Sequence, residues 1–223
     1  MLQATIQSDD QKLINGLFVQ YGCGLVAPDG WVNFDASPTL RIQKIPIIGP
    51  LITKRRTAFP KSIQYGNVAK GLPINDNACD GVYASHVLEH LALNDFHAAL
   101  RETYRILRDE GRFRLIVPDL HDLATEYLSA YSSGDIEASH KFMHNSYLGM
   151  KARPRNMKAR LMAGLGNADH LWMWDRLSMG AALSNAGFQK IREAKFGDSE
   201  EPAFSLVEDK GRFENAIAFE AIK

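Results

Sequence analysis

Cysteine is scarce in this chain, and neither sign of charge dominates it. Cys23 and Cys79 are its two cysteines, too few for the disulfide frameworks that staple small secreted domains. Basic and acidic side chains number 26 each, for a formal net charge of zero. A protein that grips nucleic acid usually carries a clear basic excess, so nucleic acid is not an expected partner. Apolar runs fall well short of the ~20 residues that cross a bilayer. The opening MLQATIQSDDQKL is polar, where a secretory leader would be basic and then apolar. These absences make the cytoplasm the expected compartment and leave no membrane partner to expect. Internal repeats and low-complexity tracts are also missing.

What remains is an ordinary globular composition, 45% hydrophobic and 23% charged over 223 residues, enough for one domain with a full core. Short apolar runs at Phe18–Tyr21, Trp31–Phe34, Ser62–Tyr65, Gly81–Ser85 and Phe113–Val117 read as buried strands. Between the last two, Phe96, Leu100, Thr103 and Leu107 recur at helical spacing. Asn94 or Asp95 is the expected cap of that helix and Gly111 its stop. A strand, a helix and a strand in succession predict a parallel pair and an α/β, Rossmann-like fold. Residues 120–132 and 134–150 read as helices, and 151–174 as irregular. The stretch 120–174 is expected to be a helical insertion or lid over the carboxyl edge of the sheet, within a single domain spanning 1–223. Asp175 should cap a further helix that Gly187 stops. Phe188–Phe196 and Asn215–Ile222 then read as two closing strands. With no helix between them, they are expected to pair antiparallel.

The first chemical signal is Phe18-Val-Gln-Tyr-Gly-Cys-Gly24, a strand ending in Gly-x-Gly. Such a turn lets backbone approach a ligand without obstruction by Cβ. The next strand, Trp31-Val-Asn-Phe-Asp35, ends in a carboxylate. An acid at that place can accept hydrogen bonds from both ribose hydroxyls of an adenosine. An acid closing a strand is more often a cap or turn residue. The third signal is Cys79-Asp-Gly-Val-Tyr-Ala-Ser-His-Val-Leu-Glu-His-Leu91, a buried strand running straight into Leu-Glu-His-Leu.

Together with NFDAS at 33–37, GNVAKGLPI at 66–74 and LRETYRILRDEGRFRLIVPD at 100–119, these segments resemble the class I methyltransferases of the type 11 group. The resemblance covers residues 18–119 and extends loosely over 169–188. It implies a mostly parallel sheet with an antiparallel last strand, and S-adenosylmethionine as the cofactor. It also implies that Gly22 and Gly24, with Tyr21 and Cys23 beside them, lie against the methionine part of that cofactor. Asp35 would then hold the ribose, Asn67 the adenine amino group and Val68 a backbone contact, with Ser85 and His86 where methyl group and acceptor meet. One departure stands out. Only Leu25–Gly30 separates Gly24 from the second strand, whereas a parallel crossover normally takes about a dozen residues or more. The first helix is therefore expected to be missing or reduced to a turn. Lys54, Arg55 and Arg56 are candidates to compensate for it.

An acceptor that loses a proton on methylation needs a base, and histidine is the best suited by its pKa. Of seven histidines, His86 follows the fourth strand directly and is the candidate base; a backbone hydrogen bond at the strand end is its alternative role. His90 reads as a packing residue. Asp119 and His121 follow the fifth strand and are candidate acceptor contacts, although Asp119 is equally placed to cap a helix. His140 and His144 share a helix face, but no third ligand stands at metal-site spacing, so no metal is expected. His170, Trp172 and Trp174 in His-Leu-Trp-Met-Trp-Asp suit an aromatic acceptor pocket or a core plug. Lys151, Arg153, Arg155, Lys158 and Arg160 suit a phosphate-bearing acceptor, such as a nucleotide- or lipid-linked sugar, or a solvated surface.

The expected function is methyl transfer to a small molecule or sugar. A binding or scaffold protein without catalysis is the alternative. A nicotinamide-dependent oxidoreductase fits less well, because Ala27 stands where the third glycine of Gly-x-Gly-x-x-Gly belongs. Neither the acceptor nor the oligomeric state can be read from these residues.

Overall fold

The structure, a computed structural model, describes residues 15–45, 58–149 and 169–223. Seven strands form one sheet: β1 (Phe18–Tyr21), β2 (Trp31–Asp35), β3 (Gln64–Tyr65), β4 (Cys79–Ser85), β5 (Leu107–Pro118), β6 (Gln189–Glu193) and β7 (Ala216–Ile222). Their order across the sheet is β3-β2-β1-β4-β5-β7-β6. The pairs β1–β2, β1–β4, β2–β3 and β4–β5 are parallel. Strand β7 runs antiparallel to both β5 and β6, as expected for strands that close the chain without a helical crossover.

Among the described residues, five α-helices accompany the sheet: α1 (Pro38–Gln43), α2 (Leu93–Ile106), α3 (Leu120–Ser132), α4 (Ala138–Asn145) and α5 (Arg176–Asn185). Because side chains alternate along a strand, β1 feeds two cores. Val19 and Tyr21 join Phe96, Leu100, Met179 and Leu183 from α2 and α5. Phe18 points the other way, toward Trp31, Tyr83, Ile116 and Phe204. Both faces of the sheet are covered, which is why its central strands read as apolar runs and not as alternating patterns.

The first crossover is as short as the sequence implies. Residues 22–30 pass from β1 to β2 through turns, without a helix. Helix α5 also begins as expected, with Asp175 accepting from the Ser178 amide in a capping box, and Gly187 follows its end at φ 102°.

Other boundaries differ from the sequence reading. The cap of α2 is Ala92, which makes no side-chain bond, and not Asn94 or Asp95. The helix passes straight into β5 at Leu107, so Gly111 does not stop it. Leu107 is buried and apolar, and it satisfies the helical spacing and the strand equally. Gly111 instead sits where β5 bulges against β4, the pairing jumping from Cys79–Leu107 to Gly81–Arg112. A Cβ there would lie 2.8 Å from the Arg108 carbonyl oxygen. The helix expected over 134–150 is confined to α4, because Gly134 adopts φ 80° and breaks it at the start. Helices α3 and α4 pack together, with Tyr127 against Phe142 at 5.6 Å between ring centroids. No helix among the described residues is long and apolar enough to cross a membrane.

Candidate functional site

The carboxyl ends of β1 and β2 carry the twin glycines and the strand-end acid. Both glycines occupy the left-handed region, Gly22 at φ 65° and Gly24 at φ 56°, where a side chain is strained. Their surroundings differ. A Cβ on Gly22 would fall 2.2 Å from Val87 Cγ2, whereas one on Gly24 would meet nothing within 4 Å. Val87 therefore fills the space beside Gly22, and the open backbone is at Gly24. Asp35 is buried and accepts through Oδ2 from the Gly24 amide at 3.0 Å and through Oδ1 from the Ser37 amide at 2.7 Å. A carboxylate offers about two acceptor positions per oxygen, so each oxygen keeps capacity for a ligand hydroxyl. The strand-tip acid thus has a cap-like role and spare acceptors as well.

The neighbours of the glycines face inward. Tyr21 lies in the core with its hydroxyl 3.1 Å from Thr103 Oγ1, and burial pushes its phenol pKa upward. Cys23 packs with Leu40 and Ile63. Burial first, and then the charge of Asp35, push its thiol up to about 12, so it stays protonated and is no nucleophile. For both residues, and for the buried Val68, what is left to offer a ligand is backbone. Asn67 caps the short helical turn Val68–Lys70, its Oδ1 accepting from the Ala69 amide at 3.0 Å; the second lone pair of that oxygen remains.

At the tip of β4, Ser85 Oγ is buried without a hydrogen-bond partner among the described residues. His86 follows at φ 53°, a conformation that a non-glycine residue holds only where surrounding contacts enforce it and that clusters at functional sites. Its amide donates to the Ile116 carbonyl at 2.9 Å. Its Nε2 stands 2.8 Å from the Arg212 carbonyl oxygen, and since a carbonyl only accepts, Nε2 carries the proton. The remaining nitrogen, Nδ1, lies 3.5 Å from Glu89 Oε1.

Glu89 is completely buried. His90 Nε2 and His170 Nε2 approach its Oε1 at 3.8 and 3.9 Å. The Glu89 carbonyl accepts from the Leu171 and Trp172 amides at 2.7 and 3.1 Å, pinning the turn after β4 to the segment ahead of α5. Burial lowers the pKa of His170, with the charge of Glu89 opposing it. His86, Glu89, His90 and His170 line a cavity of about 960 Å³ with Asp122, Glu126, His144, Tyr147, Arg212 and Glu214 among its other walls.

Of the residues read as acceptor contacts, His170 is in this wall. Asp119 is not a rim residue: it is fully buried and caps α3, its Oδ1 accepting from the His121 amide at 2.9 Å. His121 is exposed and pairs with Asp122 at 3.3 Å, away from the cavity lining. Trp174 is a core plug stacked on Phe96 with centroids 4.0 Å apart, because its indole completes the layer between α2 and the sheet. Trp172 is 44% exposed. His144 borders the cavity, whereas His140 is exposed. The basic residues at 54–56 and 151–160 lie outside the described residues. Glu89 was overlooked in sequence. The Leu-Glu-His-Leu motif contained it, but nothing local connects it to His170.

The open backbone at Gly24 and the spare acceptors of Asp35 fit a nucleoside-bearing cofactor at the β1–β2 tips. Residues 20–115 match the methyltransferase domain family. No curated protein matches the chain. Among solved structures, the chain is similar to an S-adenosylmethionine-dependent methyltransferase of Thermotoga maritima at 15% identity, covering 96% of this chain and 85% of that one with a TM-score of 0.50. A second, from Archaeoglobus fulgidus, is also an S-adenosylmethionine-dependent methyltransferase, 14% identical over 93% of this chain and 86% of that one, with a TM-score of 0.49. With a methyltransferase domain matched over residues 20–115 and a 3-2-1-4-5-7-6 sheet, the chain has the fold of its methyltransferase neighbours and is an enzyme that uses S-adenosylmethionine.

Proposed function

We propose that this enzyme methylates a small molecule or sugar bound in the cavity beside β4, with His86 as the group that receives the acceptor's proton. The observation that carries this reading is the place of His86. It directly follows the strand paired with β1, whose turn bears Gly24, and it also lines the 960 Å³ cavity. S-adenosylmethionine, when bound, supplies an electrophilic methyl group on a sulfonium. The chain's task is then to position donor and acceptor in line. Gly24, Asp35, Asn67 and Ser85 are the residues proposed to hold the cofactor, with Tyr21, Gly22, Cys23 and Val68 contributing backbone.

The cavity wall favours a hydroxyl-rich acceptor. Asp122, Glu126 and Glu214 supply carboxylates, against a guanidinium side chain from Arg212. Carboxylates accept from sugar hydroxyls and repel phosphate. Asp122 and Glu126 of α3, and His144 and Tyr147 from α4 onward, bring the described part of the 120–149 stretch into the wall; this supports the reading of 120–174 as a lid.

The test is transfer of labelled methyl from S-adenosylmethionine into fractionated small-molecule and glycan pools, comparing wild type with His86→Ala. The variant should bind S-adenosylhomocysteine normally and lose turnover by about 100-fold or more, the scale of general-base catalysis. Full turnover in the variant would remove His86 from this role. Cofactor binding without transfer to any pool would favour a scaffold.

A further inference from the structure

The cluster around Glu89 holds more than proton transfer requires. Its carboxylate is completely buried, and neither oxygen has a hydrogen-bond donor among the described residues. Buried charges are normally paired, hydrogen-bonded or bound to a metal. The groups that do approach are nitrogens of three imidazoles, from His86, His90 and His170, at 3.5, 3.8 and 3.9 Å from one oxygen.

The tautomers sharpen the problem. His90 Nδ1 lies 3.0 Å from the Asp169 carbonyl oxygen and must donate to it. His86 Nε2 donates in the same way to the carbonyl of Arg212. In the neutral rings of His86 and His90, the nitrogens that face Glu89 therefore carry lone pairs. Lone pairs aimed at a buried carboxylate repel unless a cation stands between them. A single proton reconciles one nitrogen with one oxygen, whereas a metal ion reconciles several at once. A histidine that donates its outer N–H to a backbone carbonyl while its inner nitrogen points into a common centre has the arrangement found around metal ligands.

We propose that Glu89, His90 and His170 form a site for a divalent first-row transition metal ion in the wall of the cavity. The oxygen of Glu89 and one nitrogen from each histidine lie within 4.8 Å of one another. Zinc held at ~2.0–2.2 Å by nitrogen and oxygen ligands sets ligand separations of about 3.3 Å, so small side-chain movements close the set. Two imidazoles and one carboxylate suit zinc or iron(II) better than magnesium or calcium, which prefer all-oxygen shells. Three protein ligands leave a coordination position free, as in catalytic metal sites. The backbone is already set for this, since the Glu89 carbonyl accepts from the amides of Leu171 and Trp172, the two residues that follow His170. The sequence pointed away from a metal because the ligands come from two distant segments, and Glu-His followed much later by His has no recognisable spacing.

The experiment is calorimetric titration of the full chain, stripped with a chelator, using zinc chloride and in parallel magnesium chloride, with neither cofactor nor acceptor present. Its failure would therefore leave the methyl-transfer reading untouched. Zinc should bind with one equivalent and raise the melting temperature; magnesium should do neither. Glu89→Gln and His170→Gln should each weaken zinc binding by at least about tenfold, the smallest loss seen when even a supporting residue of a metal site is removed. His140→Ala, at an exposed position, should not. Should either variant fail to fold, X-ray absorption on zinc-loaded wild type keeps the idea testable, with nitrogen and oxygen ligands and no sulfur expected. The proposal is overturned if wild type takes up no zinc, if both variants bind it as tightly as wild type, or if the ion is found on thiolate.

Discussion

Asp35 Oδ2 accepts a hydrogen bond from the Gly24 amide at 3.0 Å, so the turn after β1 and the tip of β2 are held as one piece. Its other oxygen ties down Ser37 at the start of α1. Asp35→Ala should therefore do two things. Affinity for S-adenosylhomocysteine should fall by at least about 1 kcal/mol, the scale of a lost charged hydrogen bond. The melting temperature should fall as well, because two backbone donors lose their acceptor. Calorimetry and a thermal melt on the same sample separate the effects, and unchanged affinity in a folded variant would take Asp35 out of the cofactor site.

The two glycines should respond differently to alanine. Both substitutions force a side chain into the left-handed region at a cost of roughly 1–2 kcal/mol. Gly22→Ala adds a collision with Val87 and should be the more destabilising in urea unfolding. Gly24→Ala meets open space, so its effect should appear chiefly as weaker cofactor binding. Adding Val87→Ala to Gly22→Ala should restore part of the lost stability, since it removes the colliding branches.

The tryptophans divide along the same line. Trp174 is buried against Phe96, and Trp174→Ala should cost about 3–5 kcal/mol, as large aromatic truncations in cores do. Trp172→Ala should change unfolding free energy by less than about 0.5 kcal/mol, typical of surface sites. Equal losses for the two would contradict the packing described.

Arg114 is completely buried and joins Glu220 at 3.1 Å, Asp198 at 3.0 Å and Glu208. Arg114→Met leaves Glu208 and Glu220 buried without that partner. Breaking a buried pair from one side costs about 3–5 kcal/mol, which denaturant midpoints would register at neutral pH.

The same network sets the acid limb of stability. Burial works against ionising Glu220, but hydrogen bonding to Ser199 and the guanidinium groups of Arg192 and Arg114 outweigh it, and its carboxyl is held below the usual range. For Asp198 too, burial is overcome, by Arg192, the Lys195 backbone and Arg114. With folded pKa values depressed, the stabilisation is present above the unfolded values, about 4, and is lost as pH falls through the folded ones. Urea midpoints measured from pH 6 down to pH 3 should therefore drop, and the drop should be shallower in Arg114→Met.

Much of the cofactor side was legible in the sequence because its signals are local. Gly24 needs φ 56°, and Asp35 closes an apolar run that can only be a buried strand. The acceptor side was less so. Asp119 follows β5 in a place that suits both a cap and a contact, and what decides for the cap is the burial produced when Trp174 pairs beside it. The end of α2 was misplaced because Leu107 is apolar in either reading.

Residue order and apolar spacing alone determined the succession of strands, the short first crossover and the Gly-x-Gly turn followed by an acid. Each of these depends on neighbours a few positions away. Tertiary structure decided the cavity: Glu89 meets His170, and His86 meets the Arg212 carbonyl, only because β4 lies between β1 and β5 and the chain returns past its tip twice. Local propensity carries no information about which distant segments share a strand's end, since that is settled by burying both faces of the sheet at once.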